Sequence, residues 1–244
     1  MCYGAQIAAK ARTVATKTGM PYDEAFKIIE GEYSRRWTTA FGRPGVPILR
    51  GGGDAVLARW TLLPPRIKDE KEAAAQTART GNARAEEMYD KPTFKQAARH
   101  RRCVLAFEAY YEHQHRGKVK VPYRFHRPDG GVFFVGGIWQ DWHGEPTFAV
   151  CTMRPNRLAA WIHNNPDALA GPRQPVVLRN DDEVQLWLAG GEPESLAPLL
   201  EVREDGFLVA QETRNISGVW VENSPPPPPG APEGVEPPEK GELF

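Results

Sequence analysis

The segment RCVLAFEAYYEH, residues 102–113, decides the fold class. Its many apolar and aromatic residues are typical of a β-strand that is buried on at least one side. Because side chains alternate along a strand, Glu108 and Glu112 should point to one face of the sheet. Ala109 and Tyr111 should point to the other. We therefore expect a central strand that carries acidic side chains on one face.

The segments after this strand have a similar composition. KVPYRFHRPDGGVFFVGGIWQDW (residues 120–142) and TFAVCTM (residues 147–153) predict further strands, and the PDGG sequence inside the first is a hairpin signal. PVVLR (residues 175–179) predicts a strand, followed by a helix in NDDEVQLWLAGG that Asn180 or Asp181 would cap. Strands without regular alternation with helices favour an antiparallel or mixed sheet over a parallel one.

Two segments before the central strand have helical spacing. YDEAFKIIEGEY (residues 22–33) shows apolar residues at helical intervals, and KPTFKQAARHRR (residues 91–102) predicts a helix with Pro92 in its first turn. The end, NSPPPPPGAPEGVEPPEKGELF, is rich in proline and poor in large apolar residues. It cannot bury enough surface to offset its loss of conformational entropy. We expect one domain over residues 1–222 and a disordered tail over residues 223–244.

Composition excludes several classes of protein. The chain has 244 residues, with 31 Lys and Arg against 31 Asp and Glu, so its net charge does not indicate a polyanionic partner. Cys2, Cys103 and Cys151 form neither an even disulfide set nor a C-x-x-C metal motif. There is no long apolar segment for secretion or membrane insertion. We expect a cytoplasmic protein without a metal, a cofactor or a membrane contact.

The start of the chain, MCYGAQIAAK, places a cysteine directly after Met1. At such a position an unpaired thiol gains little from packing and is open to oxidation. Removal of Met1 would leave Cys2 with an α-amine and a thiol on neighbouring carbons, a distinctive nucleophile. The composition alone leaves both the structural and the nucleophilic interpretation open.

Acid–base chemistry around such a nucleophile needs a carboxylate, a proton-transferring group and a hydrogen-bond donor. Glu108 and Glu112 are the candidate carboxylates, although a strand glutamate is also an ordinary ion-pair partner. His163, in WIHNN (residues 161–165), is the candidate imidazole, with a structural role among apolar neighbours as the alternative. Asn82 and Arg84 occupy alternating positions in GNARAEE, which suits a strand or turn before a helix but also a solvated loop.

Together these segments resemble the SOS response-associated peptidase (SRAP) family, whose members shield abasic sites in single-stranded DNA by crosslinking to them. The resemblance covers most of the chain before the tail. The block from Pro92 to Glu112 carries it most specifically. The matching segments are Cys2, RWTLLPPRIKD, GNARAEEM, KPTFKQAARHRRCVLAFEAYYEH, VPYRF, GGIWQDW, TFAVCTMRPNRLAAWIH and RQPVVL.

The resemblance implies a fold and roles for individual residues. The fold would be α+β, with a strand-rich, barrel-like core of mixed and antiparallel strands and peripheral helices. The partner would be single-stranded DNA that contains an abasic site, the α-amine of Cys2 would form a Schiff base with its aldehyde, and the thiol would close a thiazolidine. The protein would act as a monomer, associated with the nucleoid if bacterial. The implied catalytic residues are Cys2, Asn82, Glu112 and His163, and the implied DNA contacts are Arg84, Trp60, Arg66 and Arg154.

The sequence departs from the family pattern at several positions. Tyr3 and Gly4 follow Cys2 where the family usually has Gly-Arg, and Arg66 replaces a tryptophan that helps to wedge the DNA. His113 stands where tryptophan is common, Glu108 and Ala109 replace an Asp-Gly pair, and an insertion follows His163. Two other functions stay open at this point. One is a noncovalent reader of modified DNA with a structural Cys2, and the other is an N-terminal-nucleophile peptidase that acts on itself or on peptides.

Overall fold

The computed structural model describes residues 4–7, 38–52, 54–167, 171–213 and 235–236. Strands are the most frequent element among these residues, with short helices around them. The helices are α1 (Glu70–Thr80), α2 (Lys95–His100), α3 (Arg157–Ile162), α4 (Asp181–Leu188) and α5 (Pro193–Leu196), with 3₁₀ turns at Ala40–Gly42 and Ala197–Leu200. The strands are β1 (Gly4–Ile7), β2 (Thr38–Thr39), β3 (Gly45–Arg50), β4 (Asp54–Trp60), β5 (Asn82–Arg84), β6 (Arg102–Arg116), β7 (Val119–His126), β8 (Phe133–Trp142), β9 (Glu145–Met153), β10 (Gln174–Pro175), β11 (Val177–Leu178), β12 (Val209–Glu212) and β13 (Val235–Glu236).

Five of the strands close into a barrel. Starting from β6, each strand pairs with the next in the order β6, β8, β9, β4, β3, and β3 pairs again with β6. The β4–β9 pairing is parallel and the other four are antiparallel. The prediction of an α+β protein with a barrel-like mixed core and peripheral helices is therefore confirmed. Closure removes the exposed edges of the core strands.

The long strand β6 is paired along both of its edges. Phe107 pairs with Ile7 of β1 and with Phe133 of β8, and Tyr111 pairs with Gly4 of β1 and with Arg124 of β7. Since β1 lies opposite both β7 and β8, these two strands share the other edge of β6 and follow one another along it. The hairpin predicted from PDGG is therefore wrong. This sequence joins two strands that run end to end beside β6, and they do not pair with each other.

The helix predicted after residue 180 is confirmed as α4, and Asn180 is its N-cap. The Asn180 side chain accepts a hydrogen bond from the backbone N–H of Glu183 at 2.9 Å. The strand predicted over residues 175–179 is divided into the short strands β10 and β11. The helix predicted around Pro92 begins later, at Lys95, and Pro92 lies in the turns that precede it. The prediction of a helix over residues 22–33 lies outside the described residues.

The tail is described at one point only. Val235–Glu236 forms β13, which pairs in parallel with Ala210 and Gln211 of β12. These two residues lie within the segment that was predicted to be disordered, and the remainder of residues 223–244 is outside the described residues. In the part of the chain that the structure describes, none of the helices has the length and apolar character needed to cross a bilayer.

Helix α4 is attached to the barrel by Trp187, which is fully buried. The indole N–H donates to the carbonyl oxygens of Cys103 at 2.9 Å and of Gly137 at 3.1 Å, on the paired strands β6 and β8. The ring lies directly on Gly136, where an added Cβ would be 2.7 Å from the Trp187 Cε2 atom. The absence of a side chain at Gly136 thus allows the helix to pack on the barrel wall.

We predict that Gly136→Ala destabilises the protein, because the new methyl group overlaps the indole and forces α4 or β8 to move. Overpacking of this kind typically lowers the free energy of unfolding by about 1–3 kcal/mol. Gly45→Ala is the matched control, since Gly45 also lies in a barrel strand, and a Cβ added there would have no atom within 4 Å. Denaturant titrations of both variants measure the difference. Equal stability of the two variants would contradict the packing role of Gly136.

Candidate active site

Glu112 is a buried carboxyl group near the end of β6. Its residue exposure is 8%, and it pairs across the sheet with Tyr123 of β7. Burial raises the pKa of Glu112 from 4.5 to about 7, because the apolar surroundings disfavour the charged form. The carboxyl group therefore exchanges its proton near neutral pH, where an ordinary surface glutamate is fully ionised.

The pairing of β1 brings the beginning of the chain to Glu112. Gly4, the first residue of β1, pairs with Tyr111, and Ile7 pairs with Phe107. Because the strands are antiparallel, the start of β1 lies at the Glu112 end of this pairing. Cys2 and Tyr3 lie outside the described residues, so the predicted nucleophile has no described position.

His163 caps the C-terminus of α3 and is 7% exposed. Its Nδ1 atom lies 3.0 Å from the backbone nitrogen and 3.1 Å from the carbonyl oxygen of Arg173, so both polar backbone groups of Arg173 face the ring. Burial lowers the pKa of His163 to about 4, so the imidazole is neutral at physiological pH.

Two contacts connect the His163 helix with the Glu112 strand. The side-chain amide of Gln114 donates to the carbonyl oxygen of Trp161 at 3.1 Å, and the Trp161 ring packs edge-on against Tyr123 at a centroid distance of 5.8 Å. Gln114 is two residues beyond Glu112 on β6, and Tyr123 is the cross-strand partner of Glu112. The end of α3 thus lies against the part of the sheet that carries Glu112.

Asn82 is the first residue of β5, a short strand that pairs in parallel with β9. The residue is 8% exposed, and among the described residues neither its side-chain oxygen nor its side-chain nitrogen has a hydrogen-bond partner. A buried amide without partners costs free energy, and such groups in native proteins usually have a functional explanation. The side chain is therefore available to a ligand.

Glu86 and Arg173 join the Asn82 strand to His163, and the sequence reasoning did not identify either residue. One oxygen of Glu86 accepts from an Arg173 Nη2 atom at 2.5 Å, and the same nitrogen donates to the carbonyl oxygen of Thr152 at 2.7 Å. Thr152 pairs with Arg84 at the end of β5. Both residues lie in quoted motifs, Glu86 in GNARAEE and Arg173 in RQPVVL. The sequence offered one signal for this ion pair. Glu86 and Arg173 have opposite charges and lie in two motifs that were assigned to the same site.

The structure connects Glu112, His163 and Asn82 to different degrees. The helix that ends at His163 is linked to β6 and β7 through the contacts of Trp161, and His163 is linked to β5 through Arg173. Asn82 is connected to the others through the backbone of β5 and β9, since its own amide has no partner in the described part of the chain. All three are among the buried polar residues of the described part of the chain.

The four predicted DNA contacts are placed differently. Trp60 is fully buried, stacks on Phe148 and donates its indole N–H to the Gly81 carbonyl at 2.9 Å, so it is a core residue that offers no face to a DNA base. Arg84 is partly exposed and pairs with Glu87 at 2.6 Å. Arg66 and Arg154 are exposed. The three arginines remain able to contact phosphate. The prediction that Trp60 contacts DNA is wrong, because its ring is buried.

The arrangement is suited to proton transfer. Among the described residues, no group of three His, Cys, Asp or Glu side chains could hold a metal ion. Cys103 and Cys151 are buried free thiols, and burial raises the pKa of each, which makes them poor nucleophiles. A carboxyl group that titrates near neutral pH can accept and return a proton in a single reaction.

Comparison with known proteins gives a consistent result. The abasic site processing protein YoqW of Bacillus subtilis (strain 168) is 29% identical over 206 residues, which cover 80% of this chain and 86% of that protein. The abasic site processing protein YoaM of the same strain is 30% identical over 167 residues, covering 65% of this chain and 68% of that protein. A crystal structure of a protein from Bacteroides thetaiotaomicron aligns with a TM-score of 0.75 at 28% identity, covering 88% of this chain and 93% of that chain.

The family model described as SOS response associated peptidase (SRAP) matches residues 1–216. This range contains the whole barrel and each of the buried polar residues described above. The resemblance noted in the sequence is therefore confirmed, and the chain belongs to the SRAP family.

Proposed function

We propose that this protein captures abasic sites in single-stranded DNA through a covalent bond to Cys2, and so protects the lesion in the DNA damage response. The relatives YoqW and YoaM are abasic site processing proteins, which supports the substrate. An abasic site exists partly as a ring-opened aldehyde, and an N-terminal cysteine has the amine and the thiol that trap an aldehyde as a ring.

The observation that carries this proposal is the buried Glu112 carboxyl group of β6, which lies near the first residue of the neighbouring strand β1. Its pKa of about 7 is suited to accepting a proton at neutral pH. Consecutive Cα atoms are about 3.8 Å apart, so the Cα of Cys2 is within about 7.6 Å of the Gly4 Cα whatever path the chain takes. Gly4 itself pairs with Tyr111, the neighbour of Glu112. Covalent connectivity thus keeps Cys2 within reach of this base.

In the proposed reaction the amine nitrogen of Cys2 attacks the aldehyde carbon, and Glu112 carries the first proton that the nitrogen loses to the aldehyde oxygen, which becomes a hydroxyl group. Glu112 then carries the second amine proton to this hydroxyl group, which leaves as water, and a neutral imine remains. The Cys2 sulfur adds to the imine carbon while the thiol proton moves to the nitrogen. One thiazolidine ring and one water molecule result. A free amine titrates near ~8 and a thiol near ~8.5, so both need a base at neutral pH.

His163 and Asn82 have supporting roles in this proposal. In the tautomer whose Nδ1 accepts from the Arg173 N–H, the neutral His163 imidazole can donate through Nε2 to the oxygen that develops charge during amine attack. The Asn82 amide, which has no partner among the described residues, can bind the sugar hydroxyl groups. The proposal also includes the release of Met1 by the Cys2 thiol, the autopeptidase reaction that the family description suggests.

The first test concerns the nucleophile. We expect the active protein to lack Met1 and Cys2→Ala to form no stable adduct, since an alanine amine can make an imine but has no thiol to close the ring. Intact-protein mass gives the state of Met1, and denaturing gels show crosslinking to an oligonucleotide with one abasic site. Cys2→Ala lacks the thiol that would release Met1, so Met1 is removed from this variant with a methionine aminopeptidase, and borohydride should then trap the imine of its new N-terminal alanine. A stable adduct of unreduced Cys2→Ala would exclude the thiazolidine.

The second test concerns Glu112. We expect Glu112→Gln to slow adduct formation by about 10²–10⁴-fold, because the amide cannot transfer a proton. The wild-type rate should show an inflection near pH 7 as Glu112 ionises, and this inflection should be absent in Glu112→Gln. Glu108→Gln is the control, since Glu108 lies on the same strand but accepts from the Gln6 side chain at 2.5 Å. The measurement is single-turnover crosslinking between about pH 5.5 and pH 9. This range includes the titration of Glu112 and that of the Cys2 amine.

Either of two outcomes would remove Glu112 from the proposed chemistry. One is a Glu112→Gln protein that reacts at the wild-type rate. The other is a pH inflection near 7 that persists in Glu112→Gln, because the titrating group would then be a different one. A Glu108→Gln protein as slow as Glu112→Gln would indicate a general effect of charge on this strand.

The third test concerns the DNA strand. If Arg84 contacts a phosphate, Arg84→Gln should weaken binding at every sequence, and the slope of log K against log salt should fall by about 0.7, the value for one contact to a single strand. Arg127→Gln is the matched control, because Arg127 is also paired with one carboxylate, that of Asp129. Fluorescence anisotropy at several salt concentrations measures both slopes. An unchanged slope for Arg84→Gln would place Arg84 outside the interface.

A further inference from the structure

We infer that Asn164 is a positioning residue that holds His163 at the edge of β6, next to the place where β1 begins. This inference rests on the proposed function and adds to it the residue that keeps the imidazole in place. It is carried by two side-chain contacts, which fix the chain before and after His163.

His163 lies in a tight turn at the end of α3. Its backbone N–H donates to the Ala159 carbonyl at 2.8 Å, as in a helix, and the N–H of the next residue, Asn164, donates to the Ile162 carbonyl at 2.9 Å. With φ of −80° and ψ of 59°, His163 is the central residue of an inverse γ-turn. Pro166 follows, and proline disfavours a helical conformation in the residue before it. The helix therefore ends at a defined point, and the turn fixes the direction in which the chain continues.

The Asn164 side chain binds β6 as a neighbouring strand would. Its Oδ1 atom accepts from the backbone N–H of His115 at 2.7 Å, and its Nδ2 atom donates to the His115 carbonyl at 3.1 Å. An antiparallel partner makes the same pair of bonds, and an amide can replace it because it carries both a donor and an acceptor. His115 pairs with Lys120 of β7, so the groups that bind Asn164 face the other edge of β6. That is the edge along which β1 pairs, from Ile7 to Gly4.

A second contact holds the chain before His163. The Gln114 side chain donates to the Trp161 carbonyl at 3.1 Å, and the Asn164 contact is to the next residue of β6. Helix α3 has only 6 residues, too few to be stable without tertiary contacts, so these two bonds determine where it ends. They enclose His163 from both sides. They tie it to β6 two and three residues beyond Glu112.

Asn164 is also the first residue of the insertion that separates His163 from Arg173. The backbone of Arg173 faces the His163 ring, so the two residues have to stay close. A longer connection restricts its ends less, and the insertion therefore weakens the constraint that a compact motif would supply. The anchor at Asn164 restores this constraint at the point where the insertion begins.

The test is a double-mutant cycle of Asn164→Ala and His163→Ala, measured as the single-turnover rate of adduct formation. We expect Asn164→Ala to slow the reaction by about 10- to 100-fold, since a displacement of about 1 Å can cost 10²-fold. His163→Ala should slow it by about 10²–10³-fold, the loss expected when a donor to developing charge is removed. The double variant should react like His163→Ala, because Asn164 acts only through the imidazole. None of the variants should change the affinity, measured by anisotropy, for an oligonucleotide with an inert tetrahydrofuran in place of the abasic site.

Asn165→Ala is the matched control. Asn165 is the next residue of the insertion, and its side chain accepts from the backbone N–H of Asp167 at 3.0 Å, so this variant should react at the wild-type rate. The position of His163 is measured separately, as its rate of modification by diethyl pyrocarbonate, located by mass spectrometry. His163 is 7% exposed and should be modified faster in Asn164→Ala. His126, which is 8% exposed on β7, should be modified slowly in both proteins and so excludes general unfolding.

These measurements separate the inference from the proposed function. If wild type forms no adduct, covalent capture is wrong, and the modification rates still decide whether Asn164 holds His163. Unchanged modification of His163 in Asn164→Ala would overturn the inference. So would an Asn164→Ala change that slows wild type and His163→Ala equally, since Asn164 would then act by another route. The inference also fails if Asn164→Ala or His163→Ala reacts at the wild-type rate, or if Asn165→Ala is as slow as Asn164→Ala.

Discussion

The fold depends on the pairing of one long strand, β6, along both of its edges. Arg102–Arg116 is bordered by β3 and β1 on one edge and by β8 and β7 on the other. Its first half is part of the closed barrel, and its second half extends beyond the barrel to carry Glu112. The same set of backbone hydrogen bonds therefore closes the core and fixes the position of the acid relative to the start of the chain. A shift of one residue in the β1–β6 register would turn each β1 side chain to the opposite face.

The strands and their approximate limits could be predicted from the sequence, because burial on both faces produces continuous apolar and aromatic segments. The order in which they pair could not. PDGG has the composition of a hairpin turn, but the tertiary pairing of β6 with both flanking strands overrides that local preference. The start of the helix near Pro92 was placed too early for a similar reason, since proline is compatible with both a first helical turn and the irregular turns that precede Lys95.

The candidate site was predictable only in part. The resemblance identified Asn82, Glu112 and His163, and the structure shows that each is buried and polar. Burial is the property that raises the pKa of Glu112 and lowers that of His163, and the sequence of a strand does not indicate it reliably. Trp60 illustrates the opposite error. An aromatic residue near arginines has the composition of a DNA-binding surface, yet a strand residue that faces the barrel interior is not accessible.

The raised pKa of Glu112 also means that the site lowers the stability of the protein. The folded state holds the Glu112 proton more tightly than the unfolded chain does, so the stability associated with this group is fully present below about pH 4.5 and is lost as the pH rises through about 7. The difference corresponds to about 3 kcal/mol above neutral pH. His163 has the opposite linkage, since its lowered pKa destabilises the folded state as the pH falls from 6.5 towards about 4. Each group thus opposes folding in the pH range where it would be charged. The paired edges of β6 and the buried apolar core offset this cost, and they allow a carboxyl group to remain in an environment where it can exchange a proton at neutral pH.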